Sequence, residues 1–210
     1  MMIVIGLIII LIGGFGFALR DTAGSSLTRA QNTLGALVGQ ARAQAALNQT
    51  EARLVIYATR PPGGDNSKYL RLLQVFVAPT QGSTNIWVPV GSPTYLPSGV
   101  YLVPTATNGL LASGVTWLTN PPPISTPLGT AGNPNQPNGT AFFGASTVFY
   151  IEFKADGSFV PTANPFTKLV VTTGALGTNN LPAFNNPNAV RGIRIRSNGA
   201  ISYVNEATGF

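Results

Sequence analysis

The chain has 210 residues and only 9% are charged, 12 Lys and Arg against 6 Asp and Glu, for a net +6 at neutral pH; soluble domains usually carry about 25%. It has no His and no Cys, which removes imidazole acid–base chemistry, the common zinc sites, thiol nucleophiles and disulfides. The carboxylates Asp21, Glu51, Asp65, Glu152, Asp156 and Glu206 are scattered along the chain, so no enzyme activity, cofactor or metal site is expected.

Met1 to Leu19 contains no charged or polar side chain; the first charges are Arg20 and Asp21. Nineteen helical residues rise about 28 Å, close to one hydrocarbon core. A cleaved secretory signal would start with a basic segment, keep its apolar run to about 7–15 residues and end in an A-x-A-like site. None of these is met, and an uncleaved membrane helix over residues 1–24 is expected. Its apolar surface is Met1, Met2, Ile3, Val4, Ile5, Leu7, Ile8, Ile9, Ile10, Leu11, Ile12, Phe15, Phe17 and Leu19. Gly13, Gly14 and Gly16 weaken it, each by about 1 kcal/mol relative to Ala. Arg20 on the C-terminal flank would draw the rest of the chain into the cytoplasm. A basic segment originally preceding Met1 would remove that conflict.

Thr22 to Asn48 has no proline, and Leu27, Leu34, Leu37, Val38, Ala41 and Ala45 recur at helical spacing. This is the amphipathic half, residues 25–50, of one helix of about 48 residues and roughly 70 Å. Its other side carries Arg29, Gln31, Arg42 and Gln49. Gly35 and Gly39 form a G-x-x-x-G outside the apolar run, which suits close docking of a sheet better than a membrane dimer.

From residue 51 to 210 the pattern alternates, and a β-rich head is expected. Arg53–Thr59, Tyr69–Ala78, Ile86–Val90, Val100–Val103, Thr147–Lys154, Lys168–Thr172 and Arg191–Arg196 read as strands. Phe149, Ile151 and Phe153 share one face, with Glu152 and Lys154 on the other. Asp156-Gly157 and Asn198-Gly199 signal tight hairpins of the type I′ kind. Residues 120–146 and 179–188 are Pro-, Asn- and Gly-rich insertions. The fold class is therefore α+β, a long helix packed on an antiparallel sheet or sandwich.

The stretch MMIVIGLIIIL at Met1–Leu11 resembles the N-terminus of type IV pilins and type II secretion pseudopilins. The family's Gly-Phe-Thr-Leu-x-Glu would fall just before Met1, so the leader and first mature residues are expected to be missing from this sequence. Leu34–Ile56, Phe149–Phe159 and Arg191–Val204 are similar to the H-type minor pseudopilins. The resemblance covers the first 56 residues and the two late hairpins; the middle matches only in being β-rich. It implies a structural subunit anchored in a bacterial inner membrane, head outside the cytoplasm, extracted by an assembly platform into a filament of copies or other pilins. The lipid bilayer is its partner before assembly. The calcium site of major pseudopilins has no counterpart here.

Two other readings stay open. A DNA-binding relative of the H-type fold uses a C-terminal G-R-x-R motif, and here the chain reads Gly192-Ile193-Arg194-Ile195-Arg196, with the first arginine out of phase. Arg194 and Arg196 share a strand face. A two-residue loop at Asn198-Gly199 would set Tyr203 opposite Arg194, giving a nucleic-acid partner phosphate and base contacts. The alternative for these residues is a solvated outer face. A membrane-tethered adhesive or carbohydrate-binding head would use Trp87, Tyr95 and Trp117, which serve equally well as core.

Overall fold

The computed structural model describes residues 22–59, 64–82, 87–104, 125, 129–131, 147–159, 166–177, 180–184, 186 and 188–210. Helix α1 spans Thr22–Asn48. The expected membrane segment lies outside the described residues up to position 21, as do its apolar residues Met1–Leu19 and the glycines Gly13, Gly14 and Gly16. No helix among the described residues is long and apolar enough to cross a membrane.

The helical stripe is buried as its spacing demands: Leu27, Leu34, Leu37, Val38, Ala41 and Ala45 are all in the core, with Ala30 added. Each buried Leu or Val contributes roughly 1.5–3 kcal/mol by leaving water. Gln31, expected on the polar side, is instead 3% exposed. Its Nε2 donates to the carbonyls of Gly192 and Val204 at 2.8 and 2.9 Å, which is what lets a polar side chain sit in the helix–sheet interface. The helix ends with Gln49 in the left-handed region at φ 54°, while Thr50 N–H donates back to Ala45 O at 3.2 Å. That pattern is a Schellman stop made without the usual glycine.

Ten strands follow among the described residues: β1 Ala52–Tyr57, β2 Leu72–Val77, β3 Val88–Tyr95, β4 Val100–Leu102, β5 Gly129–Ala131, β6 Val148–Phe153, β7 Phe166–Leu176, β8 Pro182–Phe184, β9 Val190–Arg196 and β10 Ile201–Val204. They make two antiparallel sheets, ordered β3-β2-β1-β6-β5 and β10-β9-β7-β4, with β8 also paired to β7. The fold is thus α+β, one helix against antiparallel sheets. The main core cluster joins α1 to the inner faces of both sheets: Leu54 and Ile56, Leu73 and Val75, Phe149, Ile151 and Phe153 on one side, Leu169, Val171, Ile193 and Ile195 on the other. Leu70 ties the sheets together, its N–H donating to Tyr57 O and its carbonyl accepting from Leu102 N–H, each at 2.9 Å.

The differences from the sequence reading have local causes. Tyr69 to Arg71 belong to a turn in which Lys68 and Tyr69 N–H both donate to Asp65 O, so β2 starts three residues late. Strand β7 runs beyond Lys168–Thr172 at both ends because β9, β4 and β8 pair along its length. Strands β5 and β8 lie inside the segments read as insertions, and each is only three residues held by a neighbouring strand.

Both hairpins form where Asp-Gly and Asn-Gly fall, but they are not type I′. Only the glycines take positive φ, 74° at Gly157 and 76° at Gly199. Gly157 N–H donates to Lys154 O and Gly199 N–H to Arg196 O, both at 2.8 Å. These are three-residue loops, a type I turn closed by a glycine bulge.

Candidate functional site

The extra residue in the last hairpin decides where the nucleic-acid candidates point. Arg194 pairs with Ser202, and Tyr203 pairs with Ile193. A one-residue change of register sends a side chain to the other face, so the expected Arg194–Tyr203 pairing is not formed. Tyr203 lies on the helix side, its hydroxyl occupying the space a Cβ on Gly35 would need. Gly35 thus permits the close approach expected of the G-x-x-x-G, whereas a Cβ on Gly39 would meet nothing within 4 Å among the described residues.

Arg194 and Arg196 do share the outer face of β9, Arg196 exposed and Arg194 half-buried. Strand β7 brings Lys168 directly opposite Arg194, a third cation that the sequence reading did not assign. Burial holds the Lys168 ammonium below its ordinary value, and the neighbouring Arg194 charge adds to the effect. Arg194 Nη1 also donates to Gly209 O at 3.4 Å. The chain end folds over this face, Phe210 and Ala207 packing against Val103, Val170 and Val190. Charge parity along β7 and β9 was readable, but the strand pairing that joins Lys168 to Arg194 was not.

The adhesive reading fares differently at each aromatic. Trp87 is 2% exposed and works inside the protein: the Arg53 guanidinium sits between it and Tyr150, 3.9 and 4.0 Å from the ring centroids. Arg53 Nε also donates to Glu152 Oε2 at 2.7 Å. Stacked on two rings and half-shielded from water, the cation gains from both. Tyr95 is 43% exposed on β3, and Trp117 lies outside the described residues.

Four acids, Glu51, Asp65, Glu152 and Asp156, serve turns and pairs. Asp156 Oδ1 accepts Ser158 N–H at 2.8 Å, Asp65 Oδ1 accepts Ser67 N–H at 2.8 Å and its hydroxyl at 2.6 Å, and Glu51 takes Gly82 N–H. These hydrogen bonds from Ser158 and Ser67 hold the Asp156 and Asp65 carboxyls below their ordinary values. Among the described residues no three acids converge to hold a metal ion.

No family model matches the chain, and no curated protein matches it either. A solved structure, the type IV minor pilin FimU of Pseudomonas aeruginosa, is similar over 87% of this chain and 91% of that chain. The identity is 14% and the TM-score 0.43, too low to transfer a family or a role.

Proposed function

We propose that this protein is a structural filament subunit of the type IV pilus or type II secretion kind, of the H-type minor pseudopilin sort, with no catalytic role. The observation that carries the reading is the arrangement at the start of the chain. An apolar run of 19 residues is followed, after Arg20 and Asp21, by a 27-residue helix that is packed on the head along one face. A segment with no polar side chain has two stable surroundings, lipid or the same segment of other copies. A rigidly docked continuation turns that segment into a handle by which the head is placed. In this reading the subunit waits in the bacterial inner membrane with its head outside the cytoplasm, and the assembly platform draws it into a filament of copies or other pilins.

The test is Ile9→Lys in the full chain, expressed in its native cells. A lysine at the middle of a span costs about 2.5–3.5 kcal/mol of insertion. The expected result is loss of the protein from membranes and from sheared filaments, with the unfolding midpoint of the head unchanged. Filaments recovered at normal yield from the variant would overturn the proposal.

A further inference from the structure

Of the outer strands, β3, β4 and β10 are not equally protected. Strand β3 carries Pro89 and Pro93, residues that blunt an edge by withholding N–H groups. At β4, Val100 and Leu102 N–H already donate to Pro97 O and Leu70 O. Strand β10 has neither device: Ile201-Ser202-Tyr203-Val204 contains no proline and no charge.

Its hydrogen-bonding phase follows from the hairpin. Arg196 N–H donates to Ala200 O at 2.9 Å, so the bonded pairs of the ladder continue at Arg194 with Ser202 and at Gly192 with Val204. Ile201 and Tyr203 therefore turn their N–H and C=O groups outward, and no partner takes them among the described residues. Tyr203 is also 55% exposed, and a groove of about 390 Å³ runs beside it, walled by Arg194, Asn205, Glu206, Thr208 and Gly209.

We propose that β10 is a docking edge for the β10 of a second copy, paired antiparallel about Ser202. The three residues are self-complementary in that register. Ile201 faces Tyr203 of the second copy, both with outward backbone groups, so each of the two such pairs exchanges two hydrogen bonds. A β-branched side chain then lies across from an aromatic one, a favourable cross-strand pair, and Ser202 meets its own copy at the non-bonded position between them. The contact is isologous and closes on itself. Four residues of edge bury little area, so the association is weak and concentration-dependent. It uses none of residues 1–24, and it stands or falls separately from the filament reading.

The chain has no cysteine, which makes Ser202→Cys a direct probe. Cα atoms at a non-bonded antiparallel pair lie about 4.5 Å apart, inside disulfide range. In the full chain in detergent, with copper phenanthroline as oxidant, Ser202→Cys is expected to form dimers at least tenfold faster than Gln81→Cys, an exposed turn position on the other sheet. Adding Tyr203→Pro removes an outward N–H without touching the bonds to β9, and brings the rate down to that control. Equal rates for Ser202→Cys and Gln81→Cys would overturn the proposal, as would a rate indifferent to Tyr203→Pro. Should the proline variant lose its native circular dichroism, sedimentation of Ser202→Lys replaces it. Like charges then face each other at the centre of the contact, and a dimer fraction equal to that of the unsubstituted chain at low salt would overturn the proposal.

Discussion

Gln49 is a single residue carrying a backbone cost. At φ 54° an L side chain crowds the following carbonyl, at roughly 1–2 kcal/mol. Gln49→Gly relieves that crowding while giving the unfolded chain more freedom. A net gain of about 0.5–1 kcal/mol is expected, read as a rise in the urea midpoint with unchanged slope. Lys168 is a residue whose surroundings oppose its charge. Its folded value is lowered, so between the folded and unfolded values the unfolded chain binds more protons, and stability rises with pH as the ordinary lysine value is approached from below. At neutral pH the charged form is disfavoured in the fold, and Lys168→Gln is expected to raise the unfolding midpoint. Added salt shrinks the part of that gain due to Arg194 and leaves the part due to burial. A fall in the midpoint would mean that the lysine stem contributes more by packing than its charge costs.

Elements were legible where a period carried the information. The stripe from Leu27 to Ala45 and the alternation of Phe149, Ile151 and Phe153 each name a buried face without knowledge of the partner. Turn positions were equally plain, since Asp156-Gly157 and Asn198-Gly199 admit almost nothing else. Turn type was not, because a glycine bulge and a type I′ turn accept the same dipeptide. That one uncounted residue reversed the side on which Tyr203 lies. Helical spacing alone puts Gln31 on the polar side, because its partners, two strand carbonyls, belong to elements 161 and 173 positions away. Strands β5 and β8 have no propensity of their own to announce them. The two hairpins also pack on one another: a Cβ on Gly199 would fall 2.7 Å from Gly157 O and 2.9 Å from Arg42 Nε. Gly82 has the same φ of 76° with no described residue within 4 Å of such a Cβ. Gly199→Ala therefore adds a collision to the conformational strain, and Gly82→Ala adds strain alone. Thermal unfolding is expected to show a loss of about 1–2 kcal/mol for Gly82→Ala and a clearly larger one for Gly199→Ala. Equal losses would mean that the tips separate freely.

At the scale of the whole molecule, sequence and structure divide the protein between them. The apolar run at Met1–Leu19 rests on the sequence alone, because the described residues begin at Thr22. What the fold adds is a helix gripped by both sheets and a strand, β10, whose outer edge has no partner among the described residues. The grip has a consequence for how the chain is made. Gln31 closes on Gly192 and Val204, 161 and 173 positions later, a loop whose length-dependent closure entropy is about 4–5 kcal/mol. Strands β9 and β10 leave the ribosome long after α1, which they cover from Gln31 to Arg42. Until they arrive, Leu27, Ala30 and Leu34 lack part of their packing. A message cut short before Val190 thus yields a product with most of its strands and an uncovered helix, the kind of surface that chaperones and proteases recognise.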